Sequence, residues 1–358
     1  MKTVLANQNG RKQRQFLWKI SPISMNLFNL FYKKIKNKSV HFFFLVFFTF
    51  FCCCFEVIGQ YDPQISHNSQ LPLLINSSYA GASGQANVML LNRTQWVGIE
   101  GAPVTTVLGA DMAANFLNNK GGVGLVLQND EIGFFQNISI QALASQRYEL
   151  MGDREIAIGL NLGIVNQSFD GSKVILRPSA GGDYHSETDP SIPLSKVEGF
   201  TFDMGLGVWY SGLNYYIGAS VLHLLAPKPN FKDELNVYIP RTFFLTSGYR
   251  YKISERALEL NPSAFVKYSR GSIQTDLNVN LRVYEKYWVG LGYRVQDAVI
   301  VLLGLELKSG IRFGYSYDIT TSALSNAGSN GSHEIMVGYS FEIFREKRVK
   351  QYKSVRYL

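Results

Sequence analysis

Residues 273–283 read Ile273-Gln274-Thr275-Asp276-Leu277-Asn278-Val279-Asn280-Leu281-Arg282-Val283. An extended chain points successive side chains to opposite faces, so the odd positions form one face of Ile, Thr, Leu and Val. The even positions form another of Gln, Asp, Asn and Arg. The same period of two recurs in 156–164, 200–210, 311–319 and 335–343. Each run is about the ten residues that a tilted strand needs to cross a bilayer. These segments are expected to be staves of an all-β, transmembrane, antiparallel up-and-down β-barrel.

A soluble antiparallel sandwich also alternates, because one face of each sheet is buried. Two features speak against it. The less oily faces carry small uncharged residues such as Ala157, Gly159, Asn161 and Gly163, where a sandwich exterior is usually studded with charge. Aromatic residues also gather near segment ends, at Trp96, Trp209, Tyr210, Tyr215, Tyr216, Tyr287, Trp288 and Tyr293. That is where amphipathic rings sit at headgroup level.

The N-terminal region supplies a third argument. No acidic residue precedes Glu56, while nine basic ones do, and an apolar run from Phe42 to Phe55 follows them. Basic then oily is the order of an export signal. Residues 1–59 are expected to be a signal peptide with an extended basic region, cleaved after Gly59, with Met25 as an alternative start. A retained anchor helix, or lipidation at Cys54, are the other readings of the same run. Of 35 basic and 27 acidic residues, nine and one lie in this leader, which leaves 26 of each. The net charge of +8 is thus a property of the leader, and the electrostatic case for nucleic-acid binding disappears. Cys52, Cys53 and Cys54 also lie in the leader, so the processed chain is expected to have no disulfide, thiolate metal site or cysteine nucleophile.

Alternation and turn signals together place strands near 84–99, 103–113, 121–129, 135–148, 154–168, 198–211, 213–223, 241–253, 257–270, 273–284, 286–296, 297–308, 310–320 and 332–344. That is about 14 strands, an even number as such barrels require. The longest connections, 169–197, 224–240 and 321–331, all follow odd strands and therefore emerge at one end. Barrels of this type have short periplasmic turns and longer external loops. The long connections are accordingly expected outside, with residues 60–83 as a periplasmic N-terminal segment, 84–344 as the barrel and 345–358 as a basic tail.

Asp203, Arg250, Asp276, Arg282, Arg312 and Asp318 fall on the polar faces and are expected to pair across the interior, since a buried charge is costly alone. A charge-selective path is the other use for them. His67, His185, His223 and His333 show no metal-ligand spacing. His223 and His333, at strand ends, are expected to be polar residues at the membrane interface. No catalytic, cofactor-binding or metal-binding residue is assigned, no cofactor is expected, and the chain is read as a non-enzyme.

Several short motifs are more specific. They are Asp62-Pro63-Gln64, Tyr79-Ala80-Gly81, Arg93-Thr94-Gln95-Trp96-Val97-Gly98 with Gly101-Ala102-Pro103, Asn129-Asp130-Glu131-Ile132-Gly133, Pro262 with Val266-Lys267-Tyr268, Asp276-Leu277-Asn278, Gly314-Tyr315-Ser316-Tyr317-Asp318, and Gly331-Ser332-His333-Glu334-Ile335. In this series the chain, over about 60–344, resembles the PorP/SprF family of outer-membrane proteins that accompany the type IX secretion system of Bacteroidetes. It departs from the family in having Asn76-Ser77-Ser78 before Tyr79, and in its basic tail. The resemblance implies a cell outer-membrane barrel, embedded in outer-membrane lipid, that assists secretion or surface anchoring of one cargo protein, such as an adhesin. The implied partners are a cargo with a C-terminal type IX signal domain and other type IX components. Trp96 and Tyr79 are open to two readings, membrane-interface anchors or partner contacts. A passive channel or solute transporter is the alternative function, and an outer-membrane hydrolase or acyltransferase a third.

Overall fold

The computed structural model describes residues 62–116, 119–174, 192–193, 195–231, 237–254 and 257–342; residues 1–61 and 343–358, which hold the expected leader and the basic tail, and most of 175–194 lie outside them. The strands are β1 (Ala86–Thr94), β2 (Val104–Phe116), β3 (Asn119–Ile132), β4 (Phe135–Leu150) and β5 (Arg154–Asp170). Next come β6 (Lys196–Ser211), β7 (Tyr215–Leu222), β8 (Thr242–Tyr249), β9 (Tyr251–Ser254) and β10 (Leu258–Ser269). The series ends with β11 (Ser272–Val283), β12 (Tyr287–Arg294), β13 (Ala298–Glu306), β14 (Ile311–Thr320) and β15 (Ser332–Phe341). Strands β8 and β9 are two pieces of one stave, broken at Arg250, and both pair with β10. Each stave pairs antiparallel with the next, and β1 closes the ring on β15, from Ala86↔Phe341 to Thr94↔His333. The result is a closed antiparallel barrel of 14 staves. Closure gives each stave a neighbour on both sides and so leaves no open sheet edge; β9 and residues 196–205 of β6 are among the stretches that outrun a neighbour and ladder on one side.

Burial identifies what covers each face. On β11 the apolar Ile273, Leu277 and Val279 are 41%, 51% and 46% exposed, while Gln274, Asp276, Asn278 and Asn280 are nearly fully buried. A water-soluble protein hides its oily side chains and wets its polar ones; this ring does the reverse. Its exposed surface carries Leu, Ile, Val, Phe and Tyr from every stave, which makes sense only against hydrocarbon.

The strand bounds agree with the alternation, and so does the parity of the connections. Those at 151–153, 212–214, 255–257, 284–286 and 307–310 lie at one end and are all short, while 171–195, 223–241 and 321–331 lie at the other. Most of the loop read as 169–197, and residues 232–236 of the one read as 224–240, lie outside the described residues.

The aromatic reading needs correction. Tyr287 and Tyr293 are about half exposed, as interface rings should be, but Trp209 and Trp288 are only 4% and 8% exposed. Trp209 points into the lumen, stacked on Tyr216 at 4.8 Å, with Tyr79 edge-on at 5.1 Å. Tyr79 is therefore no membrane anchor. Rings near strand ends announce an interface only when their parity is outward, and these positions are inward.

Candidate functional site: a threaded lumen

Residues 62–85 run inside the barrel. The segment bonds to side chains or backbone of β1, β2, β4, β6, β7, β10, β11, β14 and β15. A single short stretch reaches staves on all sides only from within the ring. The expected periplasmic segment is thus a plug.

Two 3-10 turns, Pro72–Leu74 and Ser77–Tyr79, compact the segment. Pro72 presets the backbone of the first. Asn76 caps the second by accepting from Ser78 N at 3.0 Å, and its Nδ2 donates to the carbonyls of Val208 and Ala219. Ile65, Leu71 and Leu73 pack on inward Met89, Leu91, Val107, Val126, Leu143 and Met336, giving the barrel an apolar core of its own. The small luminal residues noted in the sequence make room for this. A Cβ on Gly159 would lie 2.2 Å from Ser78 N, and one on Gly122 would lie 2.4 Å from the Ala80 carbonyl carbon. Backbone packs directly on backbone there, and only glycine permits it.

Above this core lies a buried ionic cluster. Arg93 donates to Asp318 at 2.8 Å, to Glu334 at 3.1 Å and to Ser66 Oγ at 3.0 Å. Arg294 bonds to Asp276 at 3.1 Å and to Asp318 at 2.9 Å, and its other amino group reaches Ser66 Oγ at 3.2 Å. Glu334 accepts from the backbone N–H groups of Ser66 and His67, each at 2.9 Å, and lies 2.7 Å from His67 Nδ1. These charged side chains are all nearly inaccessible to solvent. Isolated, each would carry a penalty of several kcal/mol, so the cluster is stable only as a set, with Ser66 as its shared polar hub.

A second clasp holds the first described residue. His223 is flanked by Asp203 at 2.8 Å and Asp62 at 3.0 Å, and Lys267 Nζ donates to the Asp62 carbonyl at 2.9 Å. Burial would push the His223 imidazole down, but the Asp62 and Asp203 carboxylates push it up to about 10, so it is protonated at neutral pH. The Asp62 carboxyl, which burial alone would raise, is held below its ordinary value by His223. His223 therefore sits inside the mouth rather than at the lipid interface; outward-facing His333 bonds Tyr315 at 2.7 Å.

The charges expected to pair mostly do so. Asp203, Asp276 and Asp318 pair as described, Arg282 pairs with Glu306 at 2.6 Å, and Arg250 lies 3.7 Å from Glu259. Arg312 instead donates to Ser340 Oγ at 3.0 Å. Sequence reasoning did not assign Arg93, Arg294, Lys267, Glu334 or Ser66 to this interior. The available signal was inward Met89 and Leu91 beside Arg93, an apolar patch that a water-filled lumen has no reason to keep. Beside the plug, toward the short-turn end, a cavity of about 470 Å³ remains, lined among others by Tyr79, Arg147, Glu155, Trp209, Arg282 and Arg312. Among the described residues no group of three or more His, Cys, Asp or Glu is placed to hold a metal ion.

A closed ring with a lipid-facing exterior, polar side chains turned inward and short turns at one end is an outer-membrane β-barrel. Residues 57–339 match the family model for the type IX secretion system membrane protein PorP/SprF, and the chain belongs to that family. The family motifs converge on the lumen: Asp62, Gln64, Arg93, Gln95, Lys267, Asp276, Asn278, Asp318 and Glu334 all lie in or beside the two clasps. Among solved structures, the chain is similar to the toluene transporter TbuX of Ralstonia pickettii, at 9% identity over 75% of this chain and 92% of that one, TM-score 0.48. It is also similar to the toluene transporter TodX of Pseudomonas putida, at 11% over 75% and 93%, TM-score 0.42. The translocator domain of autotransporter NalP from Neisseria meningitidis matches at 13% over 72% and 88%, TM-score 0.40. No curated protein matches the chain.

Proposed function

We propose that this barrel is a docking component that helps one cargo protein leave the cell or stay on its surface, rather than a conduit for solutes. The observation that carries this reading is the filled lumen. A channel is built to leave a path, whereas here an apolar core and a solvent-excluded ionic cluster occupy the interior. What the fold offers a partner is its ends, above all the long connections at one mouth, and membership of a secretion-system family supports that use. The partners proposed are a secreted protein with a C-terminal type IX signal domain and other components of the same system. No residue is assigned a catalytic role in this reading.

Deleting the gene is expected to remove one large protein from the cell surface, read by proteomics of shaved cells and restored by complementation. An unchanged surface proteome overturns the proposal. The solute-transporter reading predicts stable conductance of the purified protein in planar bilayers, where the docking reading predicts silence.

A further inference from the structure

The direction in which residues 62–85 thread the barrel has a consequence for topology. Asp62 lies against His223, the residue after β7, and beside Lys267, near the end of β10; both mark the mouth that carries the long connections. Ser66 meets Arg93, Arg294 and Asp318, which lie at or within a few residues of the ends of β1, β12 and β14 at that same mouth. The chain then descends. Asn76 reaches Val208, toward the short-turn end of β6, and Ala219 in the middle of β7, Ala80 accepts from Ser145 of β4, and Gly81 N donates to Asp111 of β2. Ser83 Oγ accepts from Asn87 at the opposite mouth, where β1 begins and where β15 ends at Phe341. The two ends of the described chain therefore lie at opposite mouths, in contrast to the ordinary arrangement of an even-stranded barrel, in which both lie on the short-turn side.

We propose that the residues leading into Asp62, and with them the N-terminus of the processed chain, are displayed at the cell surface, reached through the protein's own lumen. Short turns mark the periplasmic side of such barrels, so the long-connection mouth faces outward. The two clasps are what keep the chain at that mouth: the hydrogen bonds of Ser66 and His67 with Arg93, Arg294, Asp318 and Glu334, the Asp62–His223 ion pair, and the bond from Lys267 Nζ to the Asp62 carbonyl. The arrangement requires that the segment lie in the lumen when β1 meets β15. This inference stands on the threading and on the orientation given by the loops, and does not depend on the docking reading.

Single-cysteine variants test it, because all native cysteines lie at 52–54, in the leader. Tyr61→Cys reports the upstream chain, Ala327→Cys the long-connection mouth, and Ser83→Cys the short-turn mouth, where Ser83 is exposed. Intact cells are treated with a membrane-impermeant maleimide, and again after the outer membrane is opened; heat-modifiable gel migration verifies that each variant is folded. The expected result is that Tyr61→Cys and Ala327→Cys label in intact cells while Ser83→Cys labels only after permeabilisation. Labelling of Ala327→Cys but not Tyr61→Cys in intact cells overturns the threading. Labelling of Ser83→Cys alone overturns the orientation, and the proposal falls with it. Labelling of Tyr61→Cys only after denaturation also overturns surface display. As a second measurement, shaving intact cells with aminopeptidase should remove residues ahead of Asp62 and leave the barrel whole.

Discussion

Glu334→Ala separates what holds the plug from what holds the barrel. The Glu334 carboxylate is fully buried and accepts from the Ser66 and His67 backbone N–H groups, from Arg93 and from the His67 ring. Removing it leaves two buried N–H donors without partners, at about 1–3 kcal/mol each. Arg93 keeps Asp318 and Ser66, so its share is smaller than for an isolated cation. Taken with the usual cost of breaking one side of a buried ion pair, the docking of residues 62–68 should weaken by about 3–5 kcal/mol. At about 1.4 kcal/mol per tenfold, that is a roughly 10²- to 10⁴-fold loss of protection for their amides in hydrogen exchange. The barrel itself should be spared, because the backbone of Glu334 remains paired with Arg93 on β1 and Ser316 on β14. Glu334→Gln preserves the shape but turns one acceptor oxygen into an NH2 donor that faces other donors, so it should also weaken docking, by about 1–3 kcal/mol. If exchange rises along β15 and its neighbours while residues 62–68 stay protected, the cluster holds staves together rather than the plug, and the reasoning is wrong.

Other outcomes follow from the same geometry. Gly159→Val places side-chain atoms where Ser78 backbone lies, so the plug must shift, at about 1–3 kcal/mol or more; cleavage near 77–80 by added protease should accelerate while the folded gel band persists. Excising residues 62–82 empties the lumen and should turn a silent barrel into one that conducts in planar bilayers; continued silence would mean that the walls alone close the pore. The His223 clasp has a defined pH window. Its imidazole is raised from 6.5 to about 10, so its contribution is complete below about 6.5 and is lost as pH climbs through about 10. Asp62 is shifted the other way, so its contribution holds above the ordinary carboxylate range and fades only as acid titrates it. Exchange at residues 62–64 should therefore rise on the alkaline side, and His223→Gln should flatten that limb.

How much could be read in advance depended on how local the signal was. Strand bounds, the even count and the parity of the loops come from alternation and turn chemistry, properties of neighbours along the chain, and each of the 14 segments appears where the period placed it. Residues 62–85 carry no such period. Asp62, Ser66 and Asn76 look like turn residues, and their partners lie more than a hundred positions away, as in the bonds from Ser66 to Asp318 and from Asn76 to Val208. Likewise Arg93 and Glu334 fall on staves that become neighbours only when the first strand meets the last. Trp209 and Trp288 satisfied an end-of-strand rule and failed a parity rule, which only burial resolves.

The sequence by itself determined that this chain is a membrane barrel, because a two-residue period with oil on one side has a single stable solution once hydrocarbon is the solvent. Only the tertiary structure decided that the barrel is filled, by which segment and in which direction. Those facts rest on closure: until β1 pairs with β15 there is no inside, and charges such as Arg93, Asp318 and Glu334 have no common place to meet.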